Sequence, residues 1–218
     1  MHPLLSLYED TLSNGAALTH PALARMIFIV HGTVTIGDRT FSDGEAWHGE
    51  SAATVTAGKD GATCWRWELS SGARVVPAST PGVASREKLS AELATIPKGD
   101  LLLRGDSVAF PPGGCAYAHT HQGPGIRCLI DGAIRIDTHG RSTSYGPGTP
   151  WYESGPEPVF AQAAADRPSR FIRVMILPRV LIGKSSIALV NEADKAKPRA
   201  QQYEIFADLP IAFRADVG

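Results

Sequence analysis

Short runs of β-branched and aromatic residues alternate with turn-forming residues along most of the chain. The 218 residues include 22 Gly and 16 Pro, and the apolar runs between them are rich in Val, Ile, Phe, Trp and Thr. This pattern is typical of many short strands joined by turns. We therefore predict an all-β fold.

One segment departs from the strand pattern. Ser85 is a suitable N-cap for a helix over 86–95, in which Leu89 and Leu93 are spaced four residues apart and a proline follows as a stop signal. We predict that this short helix belongs to a connector, 71–98, between two β domains.

The two halves that flank the connector share an internal repeat. In each half a strand ends at a glycine, Gly32 or Gly132, and is followed by a polar strand and a Gly-x-x-Trp turn that ends at Trp47 or Trp151. Internal repeats indicate architecture more strongly than local propensity does. We interpret one half as a duplicate of the other.

The second half contains two histidines with the spacing of metal ligands. His119 and His121 are two residues apart, and residues two apart in a strand face the same side of a sheet. Both imidazoles are therefore predicted to point inward and to share one ion. The same alternation places Cys115 and Tyr117 on that inner face.

The sequence around these histidines resembles the first motif of the cupin superfamily. That motif has a glycine, a His-x-His pair, a glutamate and a second glycine in fixed register. Gly113, His119, His121 and Gly132 match it, whereas Gly125 stands at the position of the usual glutamate.

The second cupin motif is matched in part and suggests a third ligand. Gly140 and Gly148 match it, and Trp151 stands in place of its last histidine. Glu153 shares the strand face of Trp151 and is the nearest carboxylate able to point toward the barrel axis. Two imidazoles and one carboxylate would resemble the facial arrangement of non-haem Fe(II) or Mn(II) sites. The alternative is a surface carboxylate beside the turn that follows it.

The remaining candidates line the predicted pocket. Arg127 has inward parity, and a buried arginine is costly without an anionic partner. That partner could be Glu153, a nearby aspartate or the carboxylate of a substrate that Arg127 anchors. Tyr117 is a candidate for moving a proton, and Trp151 and Cys115 are candidates for substrate contact. For Tyr117 and Cys115 the alternative is a role in packing alone.

The resemblance implies a bicupin, with two double-stranded β-helix (jelly-roll) barrels. We place a degenerate, metal-free N-terminal barrel at 1–70 and a metal-binding C-terminal barrel at 99–178, with the helical connector at 71–98 between them. The residues 179–218 are interpreted as an extended C-terminal arm that packs on a barrel or a neighbour.

Because the cupin fold hosts many activities, the function must be argued from the site. The leading hypothesis is a metal-dependent enzyme of dioxygenase, isomerase or lyase type, possibly an oxidoreductase, that uses one divalent transition metal (Fe, Mn, Ni or Zn) and acts on a small anionic organic molecule. The runner-up is a small-molecule binding or sensing protein without turnover, which the missing motif residues favour. A third hypothesis is a structural cupin that serves assembly.

Charge and composition argue against other partner classes. The chain has 21 Lys and Arg against 22 Asp and Glu, with a pI near 6.6 and no basic cluster of the kind that nucleic-acid binding requires. No apolar run approaches the roughly 20 residues of a membrane span, and the three cysteines contain no CxxC pair. We expect a soluble, cytoplasmic protein without nucleic-acid or membrane partners, and a homodimer that covers exposed sheet edges.

Two features of the C-terminal arm are interpreted as non-functional. Gly183-Lys184-Ser185 resembles the end of a phosphate-binding loop, but Pro178 stands where the first glycine of such a loop is required, so no nucleotide site is predicted. The basic residues Lys195, Lys197 and Arg199 are interpreted as a solvated face.

Overall fold

The computed structural model of the chain describes residues 2–72 and 80–213, which are mostly β-strand. The described strands are β1 (Leu4–Leu12), β2 (Ala17–His20), β3 (Ala24–Ile36), β4 (Arg39–Ser42), β5 (Ala46–Gly49), β6 (Ala53–Ser70), β7 (Val83–Glu92), β8 (Leu101–Phe110), β9 (Cys115–His121), β10 (Gly125–Asp131), β11 (Ile134–Thr138), β12 (Arg141–Tyr145), β13 (Pro150–Glu153), β14 (Val159–Ala163), β15 (Ser169–Pro178), β16 (Ile187–Leu189) and β17 (Gln202–Ile211). Short 3₁₀ turns occur at Arg179–Leu181 and Glu192–Ala196. Among the described residues no helix is long and apolar enough to cross a membrane.

The strands form two compact units that meet in the chain between Ala94 and Thr95. The first unit has one seven-stranded sheet of order β4-β3-β6-β1-β7, with β2 paired to β6 and β5 paired to β3. The second unit has two five-stranded sheets, of orders β13-β10-β15-β8-β17 and β12-β11-β14-β9-β16. The prediction of an all-β fold is confirmed.

The two units repeat the same strand pairings. The order β5-β3-β6-β1-β7 of the first unit corresponds to β13-β10-β15-β8-β17 of the second, and β4-β3-β6-β2 corresponds to β12-β11-β14-β9. In the first unit β3 and β6 are long strands of 13 and 18 residues that serve both orders. In the second unit the corresponding strands are divided into β10 and β11, and into β14 and β15. The repeat in the sequence therefore has a counterpart in strand pairing.

The predicted helix over 86–95 is wrong. Most of these residues belong to β7, which pairs antiparallel with β1 and places Leu89 opposite Leu7. The helix rested on one cap and two leucines, and the backbone hydrogen bonds offered by the edge of β1 override so weak a local signal. The segment predicted as a helical connector thus contributes a strand to the first unit; its residues 73–79 lie outside the described residues.

The predicted C-terminal arm packs on the second unit. β16 pairs with β9, and β17 pairs with β8 at the edge of the other sheet. Arg104 on β8 forms an ion pair with Asp208 on β17 at 2.8 Å. The arm therefore completes both sheets of this unit.

Each unit has an apolar core built from the inward residues of its strands. In the first unit the core contains Leu12, Leu18, Ile27, Ile29, Val34, Ile36, Phe41, Val55, Ala57, Ala62 and Cys64. In the second it contains Val108, Phe110, Ala116, Leu129, Ile134, Ile136, Trp151, Val159, Ala161, Ala163 and Phe171.

Beside its apolar core the first unit contains a buried cluster of charges. Arg66 Nε donates to Asp10 Oδ2 at 2.7 Å, and Arg25 Nε donates to Glu68 Oε1 at 2.9 Å. Arg66 also pairs with Glu68, so the cluster is continuous. Each of these residues is at most 2% exposed. Two arginines and two carboxylates therefore balance within the interior.

His20 lies at the end of this cluster, with Nδ1 4.0 Å from Glu68 Oε1. Burial, reinforced by the charges of Arg66 and Arg25, lowers the pKa of His20 to about 3. The imidazole is therefore neutral in the folded protein at neutral pH.

We expect the free energy of unfolding to fall by about 2 kcal/mol between about pH 7 and about pH 5 because of His20 alone. The pKa of His20 is about 3 in the folded state and about 6.5 in the unfolded chain, so over this interval only the unfolded chain takes up the proton. Urea denaturation at both pH values measures the effect. His20→Gln should lose this part of the pH dependence, whereas a change at the exposed His31, His31→Gln, should retain it. Equal pH dependence in His20→Gln and the unchanged protein would contradict the prediction.

Candidate metal centre

The imidazoles of His119 and His121 meet inside the second unit. Their Nε2 atoms are 3.2 Å apart, and the residues are 6% and 4% exposed. His119 Nδ1 donates to the carbonyl oxygen of Tyr117 at 2.7 Å, which leaves a lone pair on Nε2 of the neutral ring. Two nitrogens that each lie about 2.0–2.1 Å from one ion are roughly 2.9–3.4 Å apart in right-angled to tetrahedral geometry. The observed spacing fits a shared ion, and the prediction that both histidines point inward is confirmed.

Burial keeps both imidazoles neutral. Desolvation lowers the pKa of His119, and it lowers the pKa of His121 well below its ordinary value, with the charges of Arg127 and Arg173 acting in the same direction on both. Neutral imidazole is the form that binds metal ions. The pair is therefore in the correct protonation state at neutral pH.

Glu153 reaches the histidine pair from β13. Its Oε1 accepts a hydrogen bond from Trp151 Nε1 at 2.8 Å. Its Oε2 lies 2.8 Å from Arg127 Nη2 and 3.5 Å from His121 Nε2. The contact with Arg127 lacks hydrogen-bond geometry, so Oε2 is buried without a hydrogen-bond donor. A donor-free carboxylate oxygen beside neutral imidazoles is a suitable ligand set for a divalent ion.

Contacts with Arg127 and Trp151 fix the position of the Glu153 carboxylate. In this position the carboxylate is not centred on the histidine pair. Within the described ranges no three His, Cys, Asp or Glu side chains are already grouped as a metal site. The ion pair with Arg127 accounts for this, because it draws Oε2 to one side of the imidazole pair. Ligation would require Oε2 to turn from Arg127 toward His119.

A small cavity lies among these side chains. Its volume is about 20 Å³, which is room for one water molecule or one ion and not for an organic molecule. Its apolar wall is formed by Val108, Phe110, Ala116, Ile136, Trp151, Val159, Ala161, Phe171 and Ile187. An apolar wall strengthens the electrostatic interactions of the few polar groups that enter the cavity.

The prediction that Cys115 and Tyr117 share the inner face with the histidines is wrong. His119 and Ala116 are three positions apart on β9, yet their partners on β14 are two positions apart, so β9 carries a bulge. One additional residue reverses the alternation of side chains. Ala116 lines the cavity, and neither Cys115 nor Tyr117 does.

Tyr117 and Cys115 have other surroundings. The ring of Tyr117 faces the ammonium of Lys197, whose Nζ is 4.8 Å from the ring centroid. The carbonyl oxygen of Cys115 accepts a hydrogen bond from Gln201 Nε2 at 2.8 Å. The roles in proton transfer and substrate contact proposed for these two side chains have no support in this geometry.

The alternation holds on β10 and β13, where Arg127 and Trp151 both line the cavity. Arg127 is 1% exposed, and its Nη1 donates to the carbonyl oxygen of Gly125 at 2.7 Å. Burial lowers the pKa of Arg127 to about 10, so the guanidinium is charged at neutral pH. Of the three partners considered for Arg127, the structure shows Glu153. A substrate carboxylate would have to displace this partner.

Sequence reasoning missed Gln201, whose side chain enters the cavity from the C-terminal segment. Its Nε2 is held by the carbonyl oxygen of Cys115, and its Oε1 is buried without a hydrogen-bond partner. An amide oxygen is an acceptable ligand for a hard cation. No local pattern indicates Gln201, because it reaches the cavity only through the pairing of β16 and β17 with the second unit.

A second missed pair is Arg173 with Asp106, which lie directly opposite on β15 and β8. Arg173 Nε and Nη2 donate to the two oxygens of Asp106 at 2.6 and 2.9 Å. Both residues are at most 5% exposed. Arg173 lines the cavity, and its bidentate pair with Asp106 is neutral as a unit.

Comparison with solved structures identifies the fold. No protein-family model matches the sequence, and no curated protein matches it. A serine-to-alanine mutant of Bacillus subtilis oxalate decarboxylase has a TM-score of 0.63 at 14% identity, over 89% of this chain and 73% of that chain. A structure concerning the Mn(II) centres of the same enzyme has a TM-score of 0.62 at 13% identity, over 88% and 73%. A cupin 2 conserved barrel domain protein from Leptotrichia buccalis has a TM-score of 0.50 at 14% identity, over 80% and 84%. At these identities the likeness shows the fold alone, which is cupin-like.

In the metal-free protein we expect Arg127→Met to lower the free energy of unfolding by about 3 kcal/mol, because it leaves the Glu153 carboxylate buried without its counter-charge. Urea denaturation measures the change. Arg127→Met combined with Glu153→Gln should recover most of the loss. The matched control is Arg135→Met, which breaks the exposed ion pair with Asp137 and should cost less than about 1 kcal/mol. An Arg127→Met variant as stable as the unchanged protein would contradict this interpretation.

Proposed function

We propose that the chain is a metal-dependent cupin enzyme that acts on a small anionic organic molecule, with one divalent transition metal held by His119, His121 and Glu153. One observation carries the proposal: two neutral buried imidazoles, with Nε2 atoms 3.2 Å apart, face a carboxylate oxygen that lacks a hydrogen-bond donor. The fold alone does not select an activity, because it hosts many.

The chain's own residues have separable roles in this proposal. Trp151 holds Oε1 of Glu153 by a hydrogen bond, which leaves Oε2 beside Arg127 and His121 and able to turn toward the ion. Gln201 lines the same cavity, and its Oε1, which is buried without a hydrogen-bond partner, offers a fourth ligand atom. When bound, the metal supplies Lewis-acid polarisation of a substrate oxygen and, for Fe or Mn, redox chemistry.

The structural neighbours support the same class of function. Oxalate decarboxylase is named for a small anionic substrate, and one of its structures concerns Mn(II) centres. For this chain we therefore favour Mn or Fe among the four candidate metals. Dioxygenase, isomerase and lyase chemistry all fit a site with two histidines and a carboxylate, in which positions on the ion are left for substrate.

We further propose that the chain is a bicupin whose N-terminal barrel does not bind metal. His20 and His119 occupy equivalent places, since each lies opposite the first residue of the strand it pairs with, β6 or β14. Among the described residues of the first unit, however, His20 is the only buried histidine, so no second imidazole is available to share an ion with it. The buried carboxylates beside it, Asp10 and Glu68, are already paired with Arg66 and Arg25.

The alternative function is a binding or sensing cupin without turnover. The observation that favours it is the present position of Glu153, which is held by Arg127 and lies near only one of the two histidines. Under this alternative the purified protein would be metal-free and would still bind a small molecule. The homodimer and the cytoplasmic location stay predictions.

We expect one transition-metal ion per chain by elemental analysis of protein purified without chelators. His119→Ala combined with His121→Ala should remove it, because no paired neutral imidazoles remain. The matched control is His31→Ala with His139→Ala, which removes two exposed histidines and should leave the metal content unchanged. Full metal content in the His119 and His121 double variant would refute the assignment, as would a second ion in the N-terminal unit.

Glu153→Gln should weaken metal binding by at least about 10-fold and, because it leaves Arg127 buried without its counter-charge, should also lower the free energy of unfolding by about 3 kcal/mol. The amide keeps the shape of the carboxylate and loses its charge attraction to the cation. Competition with a metal indicator measures the affinity. An unchanged affinity would show that Glu153 serves only to neutralise Arg127.

A further inference from the structure

A second, larger pocket lies beside the metal cavity in the C-terminal unit. Its volume is about 300 Å³, the lower end of the range for small-molecule sites. It is bordered by β8, β15, the segment 183–187 and the C-terminal residues 199–205. Arg173, Ile187 and Tyr203 line both this outer pocket and the metal cavity. These three residues therefore form the wall between them.

The charges that line the outer pocket are mostly positive. Arg173 is neutralised by Asp106, and Arg104 is engaged by Asp208 and by the carbonyl oxygens of Leu181 and Lys184. Lys184 and Arg199 also line the pocket, and neither has an ion-pair partner within residues 2–72 and 80–213. Two uncompensated cations at one pocket attract an anion.

The same pocket also offers apolar surface. Ile205 is 57% exposed and Tyr203 is 46% exposed, although both are large residues with apolar area. Exposed apolar area beside two free cations suits a ligand with an anionic group and a carbon skeleton. An inorganic anion would leave this apolar surface uncovered.

Two backbone N–H groups near Lys184 already donate hydrogen bonds within the protein. The Gly183 N–H donates to Asp208 Oδ2 at 2.7 Å, and the Ile187 N–H donates to Ser185 Oγ at 3.2 Å. A phosphate-binding loop depends on free backbone N–H groups. Recognition here would fall to the Lys184 and Arg199 side chains, which can pair with a carboxylate without such a loop.

We propose that the outer pocket is the binding site for a small organic carboxylate, with the carboxylate on Lys184 and Arg199 and the carbon skeleton against Ile205 and Tyr203. As a substrate site this inference rests on the proposed function. The metal cavity of about 20 Å³ holds an ion and no organic molecule, so a substrate would have to approach from a neighbouring pocket.

The outer pocket is connected to the metal ligands as well as adjacent to them. Ser186 borders the pocket, and its Oγ lies 3.5 Å from Nδ1 of His121. A ligand in the outer pocket therefore lies against the segment that contacts one of the two histidines. Lys184 and Arg199 would therefore anchor the substrate carboxylate, the role that the sequence suggested for Arg127. Arg127 is itself buried and engaged with Glu153.

Calorimetric titration of the metal-free full chain with succinate tests the proposal. We expect succinate to bind and its neutral analogue succinamide not to bind. Lys184→Gln combined with Arg199→Gln should raise the Kd for succinate at least tenfold. The matched control is Arg141→Gln with Lys195→Gln, two exposed cations outside the pocket, which should leave the Kd unchanged.

The proposal is overturned if succinate does not bind, if succinamide binds as tightly, or if the Lys184 and Arg199 double variant binds succinate normally. Tighter binding of inorganic phosphate than of succinate would overturn the carboxylate assignment. The His119→Ala and His121→Ala double variant separates the two proposals, because it should keep succinate binding. If the metal assignment proved wrong while succinate still bound, the proposed carboxylate site would stand.

Discussion

The compensation of buried charge is the constraint on which the interior of this protein depends. Charged residues lie inside both units, and each is placed against a partner because an unpaired buried charge costs several kcal/mol. Arg66 pairs with Asp10 in the first unit, and Arg173 pairs with Asp106 in the second. Strand register makes this possible, since Arg173 directly faces Asp106, and Asp10 lies two residues from the position that faces Arg66 and so shares its side of the sheet.

The two units differ in how their buried charges are compensated and in which neutral groups lie beside them. In the first, arginines and carboxylates form a continuous cluster and His20 is excluded from ionisation by burial and by the arginines. In the second, His119 and His121 take the place of charged side chains next to the Arg127–Glu153 pair. A pair of neutral imidazoles can share a cation, whereas the first interior has a single buried histidine beside carboxylates that are already paired with arginines.

Strand alternation was sufficient to predict the inward placement of four side chains, because β13 and the end of β9 are regular. These are His119, His121, Trp151 and Glu153. It failed at Tyr117, where a bulge in β9 adds one residue that no local pattern reveals. It also failed at β7, where pairing with β1 overrides a weak helix signal. Gln201 could not be predicted at all, because its place in the cavity depends on contacts between segments distant in sequence.

The charge balance of the second interior bears on the kind of substrate. Arg127 and Arg173 are already matched by Glu153 and Asp106, and the two imidazoles are neutral. A divalent ion bound there would add two positive charges that the protein does not neutralise. In a low-dielectric interior such a charge is stabilised by an anion that binds with or after the metal. An anionic substrate would supply that compensation itself, so the same constraint that pairs the buried arginines favours a carboxylate ligand beside the metal.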